Sequence, residues 1–206
     1  MKITAAVRIR GQQYLLTIDG NDDCQAEVDA ATFDHSGYHV DGEITPQELE
    51  DLLALSKRNR VRSRALYYLS DRDYAARELE NKLCRMTERE TAHAVVERLT
   101  EVGLINDAAY AGRQAQNLAQ YRLYPKRRIL QELRAKGIDR ETAQAAVDAA
   151  DIDDFQLALA LIEKKYYNKL SDRSSREKTA AALVRYGFGF DTVRRAIQTA
   201  AENADD

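Results

Sequence analysis

The segment Leu133-Arg134-Ala135-Lys136-Gly137-Ile138 recurs 50 residues later as Leu183-Val184-Arg185-Tyr186-Gly187-Phe188. Each copy has a glycine followed by an apolar residue at its end, which is typical of a helix that terminates in a left-handed residue. Leu83 stands 50 residues before Leu133, but Thr87 occupies the position of the two glycines. The spacing predicts a helical module used three times, with a different helix end in the first copy.

A second set of apolar positions follows the same period. The first helix of each module carries three such residues at i, i+4 and i+8, on one helix face, when one residue is inserted in the third module. The triplets are Val61, Ala65 and Leu69; Ala111, Ala115 and Ala119; and Ile162, Tyr166 and Leu170. One module cannot bury its own stripe, so we predict a mainly α fold of tandem three-helix repeats forming an elongated curved stack. A single bundle is the alternative.

The N-terminal residues have a different pattern. Residues 3–9 alternate apolar with polar or small side chains, and residues 14–18 are rich in strand formers, which predicts a β-hairpin turning near Gly11. Thr45 and Glu48 flank Pro46 in the pattern of a capped helix start. The predicted divisions are a hairpin and acidic loop at 1–44, a linking helix at 45–56, repeats at 57–105, 106–150 and 151–200, and a frayed tail at 201–206.

Composition narrows the class of protein. The chain has 206 residues, of which 44% are hydrophobic and 32% charged, a balance that can bury a core. No apolar run approaches the roughly 18 residues that a membrane span needs, and no signal peptide pattern is visible. The 2 cysteines are too few for a disulfide framework or a four-thiolate zinc site. We therefore expect a cytoplasmic protein without membrane contact.

Charge is distributed unevenly along the chain. Residues 1–56 carry 3 basic and 11 acidic side chains, residues 57–150 carry 19 and 13, and residues 151–206 carry 9 and 10. The net charges are therefore −8, +6 and −1. An acidic head followed by a basic middle favours surfaces for different partners, and simple solvated helix faces are the alternative.

Three segments resemble the RecX family of proteins. They are Arg64-Ala-Leu-Tyr-Tyr-Leu-Ser-Asp-Arg-Asp-Tyr74 with Glu78-Leu79 and Leu83, Gly103-Leu-Ile-Asn-Asp107 with Tyr110-Ala111, and Arg128-Ile-Leu-Gln-Glu-Leu-Arg-Ala-Lys-Gly-Ile138. The third repeat is similar more loosely, and the hairpin with the Thr45–Leu55 helix looks like the N-terminal extension of many members. Two residues depart from the pattern. Thr87 stands where the other two repeats have glycine, and Asn106 stands where the family commonly has an acidic residue.

The resemblance implies a modulator of RecA, the recombinase that polymerises on single-stranded DNA in DNA repair. Family members bind the RecA nucleoprotein filament, lie in its helical groove and alter its extension, disassembly or ATPase activity. We predict inhibition of the recombinase and ATPase activities, with a supportive effect as the alternative. The chain is expected to act as a monomer and to meet DNA directly or through the filament.

The sequence contains no constellation that favours catalysis. It has no Walker loop, no glycine-rich dinucleotide turn and no nucleophile elbow, and its paired carboxylates lie beside predicted turns. His35 and His39 are four residues apart with Cys24 upstream, but a fourth ligand is missing, so exposed loop histidines are predicted instead of a metal site. His93 is expected on a solvated helix face. We predict no enzymatic activity, no metal and no cofactor.

Basic clusters are the candidate partner-binding residues. Pro125 is expected in the first turn of a helix that begins with three cations, which oppose the helix dipole and so favour an anionic contact. The predicted contacts are Arg58, Arg62, Lys126, Arg127, Arg128, Arg134, Lys136, Lys165, Lys169, Arg194 and Arg195. These cations are expected to form a discontinuous positive stripe, with tyrosines packed between repeats and cation stems reaching to water as the alternative.

Two other functions stay open at this point. The net charge of +6 over residues 57–150 favours a free-standing nucleic-acid-binding protein that uses one three-helix unit in helix-turn-helix fashion. The sequence pI of about 5.7 is far below the pI of about 9 or more that is typical of a nucleic-acid-binding domain. A helical scaffold for other proteins is the third possibility.

Overall fold

The computed structural model describes residues 1–170 and 172–205, without the side chains of Asp22, Lys169 and residues 203–205. The structure is mostly helical with a small antiparallel sheet at the N-terminus, which confirms the predicted fold class. No helix within the described ranges is long and apolar enough to cross a membrane.

Two units divide the chain. The first consists of Met1–Asp73 and Leu79–Val102, and the second of Tyr74–Glu78 and Gly103–Asp206. The second unit therefore includes the start of one helix of the first repeat together with the two later repeats.

The N-terminal sheet has three strands in the order β1 (Ile3–Ile9), β2 (Gln13–Ile18) and β3 (Asn21–Asp29). The predicted hairpin is confirmed, because β1 pairs with β2 on either side of Gly11. The predicted irregular acidic loop after it is wrong for residues 21–34, which form β3 and a short helix. Asp19 and Gly20 have positive φ values of 52° and 68°, the backbone that a two-residue hairpin turn requires. This turn leads directly into β3.

A short helix and one end of a long helix complete the core of the sheet. Helix α1 (Ala30–Asp34) is capped by Asp29, whose carboxylate accepts the Thr32 N–H. The buried side chains that pack together here are Ile3, Leu16, Ile18, Val28, Phe33, Ile44 and Leu52. Apart from Ile44, which precedes the next helix, these residues come from the sheet, from α1 and from that helix, so the sheet is packed against helices on one face.

Helix α2 (Pro46–Asp71) is continuous over 26 residues. The predicted capping box is confirmed, because Thr45 Oγ1 accepts the Glu48 N–H at 3.2 Å and Glu48 Oε2 accepts the Thr45 N–H at 2.8 Å. The predicted boundary between a linking helix at 45–56 and a first repeat helix is wrong. No proline or glycine interrupts residues 47–71, so one helix serves both the sheet and the first repeat.

The remaining helices follow in threes. The first repeat uses the later part of α2 with two shorter helices, and a 3₁₀ turn at Tyr167–Lys169 lies between the first two helices of the third repeat. The bounds are α3 (Ala76–Leu83), α4 (Arg89–Glu101), α5 (Asp107–Arg122), α6 (Lys126–Ala135), α7 (Arg140–Ala149), α8 (Asp154–Lys165), α9 (Arg173–Tyr186) and α10 (Phe190–Asp205). The predicted frayed tail at 201–206 is wrong as far as Asp205, where α10 ends; Asp206 lies outside the described residues.

The repeat leucines occupy equivalent core positions. Leu83, Leu133 and Leu183 are all buried, with exposed fractions of 0%, 1% and 0%. Leu133 and Leu183 each accept a hydrogen bond through their carbonyl from the residue after the glycine, which closes α6 and α9 as predicted. The end of α3 differs, because Met86 N–H donates to the Leu83 carbonyl and the helix stops earlier.

The two helix-ending glycines also provide space between repeats. Gly137 has a φ of 93°, and a Cβ there would lie 2.4 Å from Arg77 Cβ. Gly187 has a φ of 120°, and its Cβ would lie 3.1 Å from Arg128 Cβ. Each glycine thus receives the start of the second helix of the preceding repeat. Thr87 belongs to the first repeat, which has no preceding repeat, so its position does not need a glycine.

Candidate partner-binding surface

Helix α2 carries the predicted cations of the first unit. Arg58 and Arg62 are exposed and lie one turn apart on the same side of the helix. In the part of the chain that the structure describes, neither guanidinium has an acidic partner. Their neighbours differ, because Lys57 forms an ion pair with Glu88 and the Arg64 guanidinium lies 4.7 Å from the centre of the Tyr68 ring.

The second cation group begins helix α6. Pro125 is the N-cap residue and not part of the first turn, a small correction of its predicted place. Three cations follow with no acidic residue of α6 in the first turn. Asp154, the first residue of α8, supplies the missing negative charge, because its Oδ1 accepts the Lys126 N–H at 2.9 Å. A carboxylate at this place satisfies a free donor and opposes the charge of the helix dipole.

Arg128 is half-buried against aromatic side chains. Its guanidinium donates to the Tyr124 hydroxyl at 3.1 Å and to the Tyr186 carbonyl at 3.3 Å. Its Cζ lies 3.8 Å and 4.5 Å from the centres of the two tyrosine rings, and its Nε is 3.8 Å from Glu132 Oε1. The guanidinium of Arg128 therefore joins the second and third repeats, unlike the exposed side chains of Lys126 and Arg127.

Tyr186 is the centre of this joint. Its hydroxyl donates to the Arg122 carbonyl at 2.6 Å, and its ring lies edge-on to Tyr124 with centres 5.4 Å apart. Burial raises the pKa of the Tyr186 hydroxyl, so the group is a neutral donor across the physiological range. Tyrosines packed between repeats, the alternative to a binding role, are therefore what the structure has at Tyr124 and Tyr186.

The end of α6 carries two further predicted contacts. Arg134 is exposed and has no ion pair within the described ranges. Lys136 Nζ lies 2.6 Å from Glu78 Oε1, near the start of α3, so its charge is compensated inside the second unit. Of these two cations, Arg134 is the one without an ion pair among the residues that the structure describes.

The third repeat holds the remaining predicted contacts. Lys165 is exposed, with Nζ 5.9 Å from the centre of the Tyr186 ring. Arg194 Nη2 lies 3.8 Å from Asp191 Oδ1, and the Arg195 guanidinium lies 4.8 Å from the centre of the Phe155 ring. The side chain of Lys169 is outside the described residues. The structure brings two of the predicted cations, Arg128 and Lys165, to the same Tyr186 ring. The discontinuous positive stripe stays a prediction.

The histidines and cysteines are dispersed. Cys24 is exposed, and Cys84 is half-buried. His35 Nδ1 lies 2.7 Å from the Ala31 carbonyl, and His93 Nδ1 lies 3.3 Å from Glu80 Oε2. Within the residues that the structure describes, no group of three or more His, Cys, Asp or Glu side chains could hold a metal ion.

Sequence reasoning missed the joint residues Asp154 and Tyr186. Asp154 follows an N-cap aspartate, Asp153, and looked like an ordinary acidic residue at a helix start. Asp107 stands at the same first position of α5, and its Oδ1 accepts the Ala76 N–H of α3 at 2.8 Å. The recurrence of an aspartate at the start of the first helix in the second and third repeats is the sequence signal that could have predicted this capping between repeats.

Comparison with known proteins covers the second and third repeats most directly. The model of the second three-helix domain of RecX matches residues 106–147, and that of the third matches residues 151–197. A regulatory protein RecX of Stenotrophomonas maltophilia (strain R551-3) is 36% identical over 140 residues, or 66% of this chain and 83% of that protein. The chain belongs to the RecX family. Membership assigns it a regulatory role.

Other RecX proteins support the same assignment. A regulatory protein RecX of Vibrio cholerae serotype O1 is 33% identical over 139 residues, which cover 66% of this chain and 91% of that protein. A crystal structure of regulatory protein RecX matches with a TM-score of 0.69 at 22% identity, over 94% of this chain and 97% of that one. RecX from Lactobacillus salivarius matches with a TM-score of 0.59 at 25% identity, over 69% and 96%. The RecX fold therefore extends to the N-terminal part of the chain.

Proposed function

We propose that this chain is a non-enzymatic regulator that binds the RecA nucleoprotein filament and inhibits its recombinase and ATPase activities in DNA repair. Membership of the RecX family is the observation that carries this proposal. In it the chain acts as a monomer in the cytoplasm, where it meets the filament, and it reaches DNA through the filament.

The exposed cations without an internal ion pair are the contacts that we propose. Among the predicted contacts they are Arg58, Arg62, Lys126, Arg127, Arg134, Lys165 and Arg195. Because these charges have no acidic partner in the described part of the chain, binding an anionic surface does not break an ion pair. Arg128 and Lys136 are left out of this set, because their charges already serve contacts within the second unit.

Regulation follows from unequal affinity for two states of the filament. A protein that contacts neighbouring subunits changes their arrangement or competes with an incoming subunit, and it shifts assembly only if it binds one state better. Inhibition means that the inactive or shorter filament is the state bound more tightly. This regulation requires only binding, and no covalent reaction between the protein and the filament.

The test is the ATPase rate of RecA on single-stranded DNA as the protein is added. A falling rate, with the protein sedimenting with filaments, is the expected result. Arg127→Gln should weaken both effects, while Arg98→Gln is the matched control, because Arg98 is already paired with Glu101 at 2.8 Å. An unchanged rate at saturating protein contradicts the proposal, and a raised rate contradicts its inhibitory part.

A second candidate function rests on the net charge of +6 over residues 57–150. A free-standing nucleic-acid-binding protein would bind naked DNA tightly without RecA, and its affinity would fall steeply with salt because counterions are released. Fluorescence anisotropy with a labelled oligonucleotide at two salt concentrations separates the two functions. Tight, salt-sensitive binding in the absence of RecA favours the second one.

A further inference from the structure

A groove of about 360 Å³ lies between α1 and α2 in the first unit. Ala31 and His35 line one side, and Leu55, Asn59, Arg62 and Leu66 line the other. The groove belongs to the N-terminal part of the chain, before the regions that the RecX domain models match. We refer to it as the α1–α2 groove.

The α2 side of the groove is one helix face on which an arginine lies between two exposed leucines. Positions 55, 59, 62 and 66 are separated by steps of four, three and four, so they lie in one row. Leu55 and Leu66 end this row with exposed fractions of 42% and 37%, and Arg62 lies between them. The helix is already anchored by other side chains, Leu52, Val61 and Ala65, which are buried. The two exposed leucines are thus available to a partner.

Several polar groups of the groove are engaged in hydrogen bonds within the protein. The Asp29 carboxylate accepts the Thr32 N–H at 3.0 Å and the Thr32 hydroxyl at 2.9 Å. Asn59 Nδ2 donates to Thr32 Oγ1 at 2.9 Å. The Ala31 carbonyl can only accept, so the His35 nitrogen 2.7 Å away is the one that carries the proton.

Arg62 is the charge that the groove leaves for a ligand. Its guanidinium has no acidic partner in the described ranges, and Arg58, one turn earlier, has none either. Because Asp29 is engaged at the start of α1, the free charge of the groove is positive. A carboxylate between two apolar side chains is the complement of Arg62 between two leucines.

We propose that the α1–α2 groove binds an acidic peptide segment of a partner protein, with an apolar residue on each side of an aspartate or glutamate. Leu55 and Leu66 are 11 residues apart, or about 16 Å along the helix at 1.5 Å per residue. An extended peptide rises about 3.3 Å per residue and its side chains alternate between two faces, so two apolar residues that both face the helix are an even number of positions apart, four or six, which is about 13 or 20 Å. A nucleic acid has phosphates for Arg62 but no aliphatic side chains for the leucines, and it is therefore the weaker fit.

The experiment measures fluorescence anisotropy of a fluorescein-labelled peptide with the core Leu-Ser-Asp-Ser-Asp-Ser-Leu, in which the leucines and aspartates share one face when the peptide is extended, titrated with the full chain. Saturable binding is expected. Arg62→Glu should weaken it at least about tenfold, because a charge-assisted hydrogen bond is replaced by repulsion. Leu55→Ser with Leu66→Ser should also weaken it. Arg60→Glu is the matched control on the same helix, because Arg60 lines a different cavity, beside β3, and should change the affinity less than about twofold.

The outcomes separate the possible occupants. No peptide binding, or binding that Arg62→Glu and the leucine variants leave unchanged, overturns the proposal. Preferential binding of a labelled single-stranded oligonucleotide that Arg62→Glu abolishes assigns the groove to nucleic acid and also overturns it. Self-association that Arg62→Glu abolishes would show that a second copy fills the groove, and it would overturn the proposal as well. RecA is absent from these titrations, so their result does not depend on the proposed function. Circular dichroism checks folding, and Arg62→Gln replaces Arg62→Glu if the latter does not fold.

Discussion

The Asp154 carboxylate accepts a hydrogen bond from the backbone N–H of Lys126 at 2.9 Å, across 28 residues of sequence. The first repeat joint has the same arrangement, in which Asp107 Oδ1 accepts the Ala76 N–H at 2.8 Å. At both contacts between successive repeats, the first residue of the later repeat's first helix caps the second helix of the repeat before it. The chain therefore links successive repeats with a charged hydrogen bond at a helix start, in addition to apolar packing.

Asp154→Ala should lower the free energy of unfolding by about 1–2 kcal/mol, because α6 loses both its capping acceptor and the charge that opposes its dipole. Urea denaturation followed by circular dichroism measures the change. Asp191→Ala is the control, because Asp191 is an acidic residue in the first turn of α10 that lies beside Arg194 of the same helix. Equal losses in the two variants would contradict a role for Asp154 between helices.

Gly137→Ala should destabilise the protein by about 2–4 kcal/mol, because a left-handed backbone and a clash with Arg77 add together. The added Cβ would lie 2.4 Å from Arg77 Cβ. Gly103 has a φ of 77° with nothing within 4 Å of a Cβ, so Gly103→Ala should cost only the backbone part, about 1–2 kcal/mol. Thermal and urea unfolding of both variants test this, and losses of the same size would show that the space between repeats is not limiting.

Arg128 and Arg127 should respond differently to substitution although they are neighbours. Arg128→Ala removes contacts to Tyr124 and Tyr186 and should lower the free energy of unfolding by about 2 kcal/mol. Arg127→Ala changes an exposed side chain and should stay within about 0.5 kcal/mol of the parent. Urea denaturation gives both values, and cosedimentation with RecA filaments should show weaker binding for Arg127→Ala. A stable Arg128→Ala protein would remove its assigned role in the joint.

The sequence contained enough to predict the repeats, because their signals are local and periodic. The glycines at 137 and 187, the leucines 50 residues apart and the capping box at Thr45 all express helix chemistry within a few residues. Strand β3 was hidden by acidic residues next to its turn, since Asp23 and Glu27 are exposed while Val28 is buried. A charged strand with one buried position reads as a loop in a single sequence.

The binding surface was less predictable, because a charge pattern does not show which cations the protein uses internally. Arg128 meets the Tyr186 carbonyl, and Lys136 meets Glu78, in both cases across 58 residues. Such pairs depend on how repeats pack, and nothing in the local sequence distinguishes Arg128 from Arg127. The unpaired cations could be separated from the paired ones only when the fold placed both partners.

The pH dependence of stability should contain a contribution from Asp139. Hydrogen bonds from Thr142, whose N–H lies 2.9 Å from Asp139 Oδ1, lower the pKa of this carboxyl below its usual 3.8. The unfolded chain then binds the proton more readily, so this contribution is complete well above pH 4 and is lost as the pH falls through the lower folded value. Asp139→Asn keeps a capping side chain but cannot titrate, so its stability should match the parent closely at pH 7 and fall less between pH 5 and pH 3.

Urea denaturation at about pH 7, 5 and 3 compares the two proteins, with Asp191→Asn as the control for loss of one exposed carboxylate. Parallel curves for the parent and Asp139→Asn would show that this helix cap does not contribute to acid sensitivity.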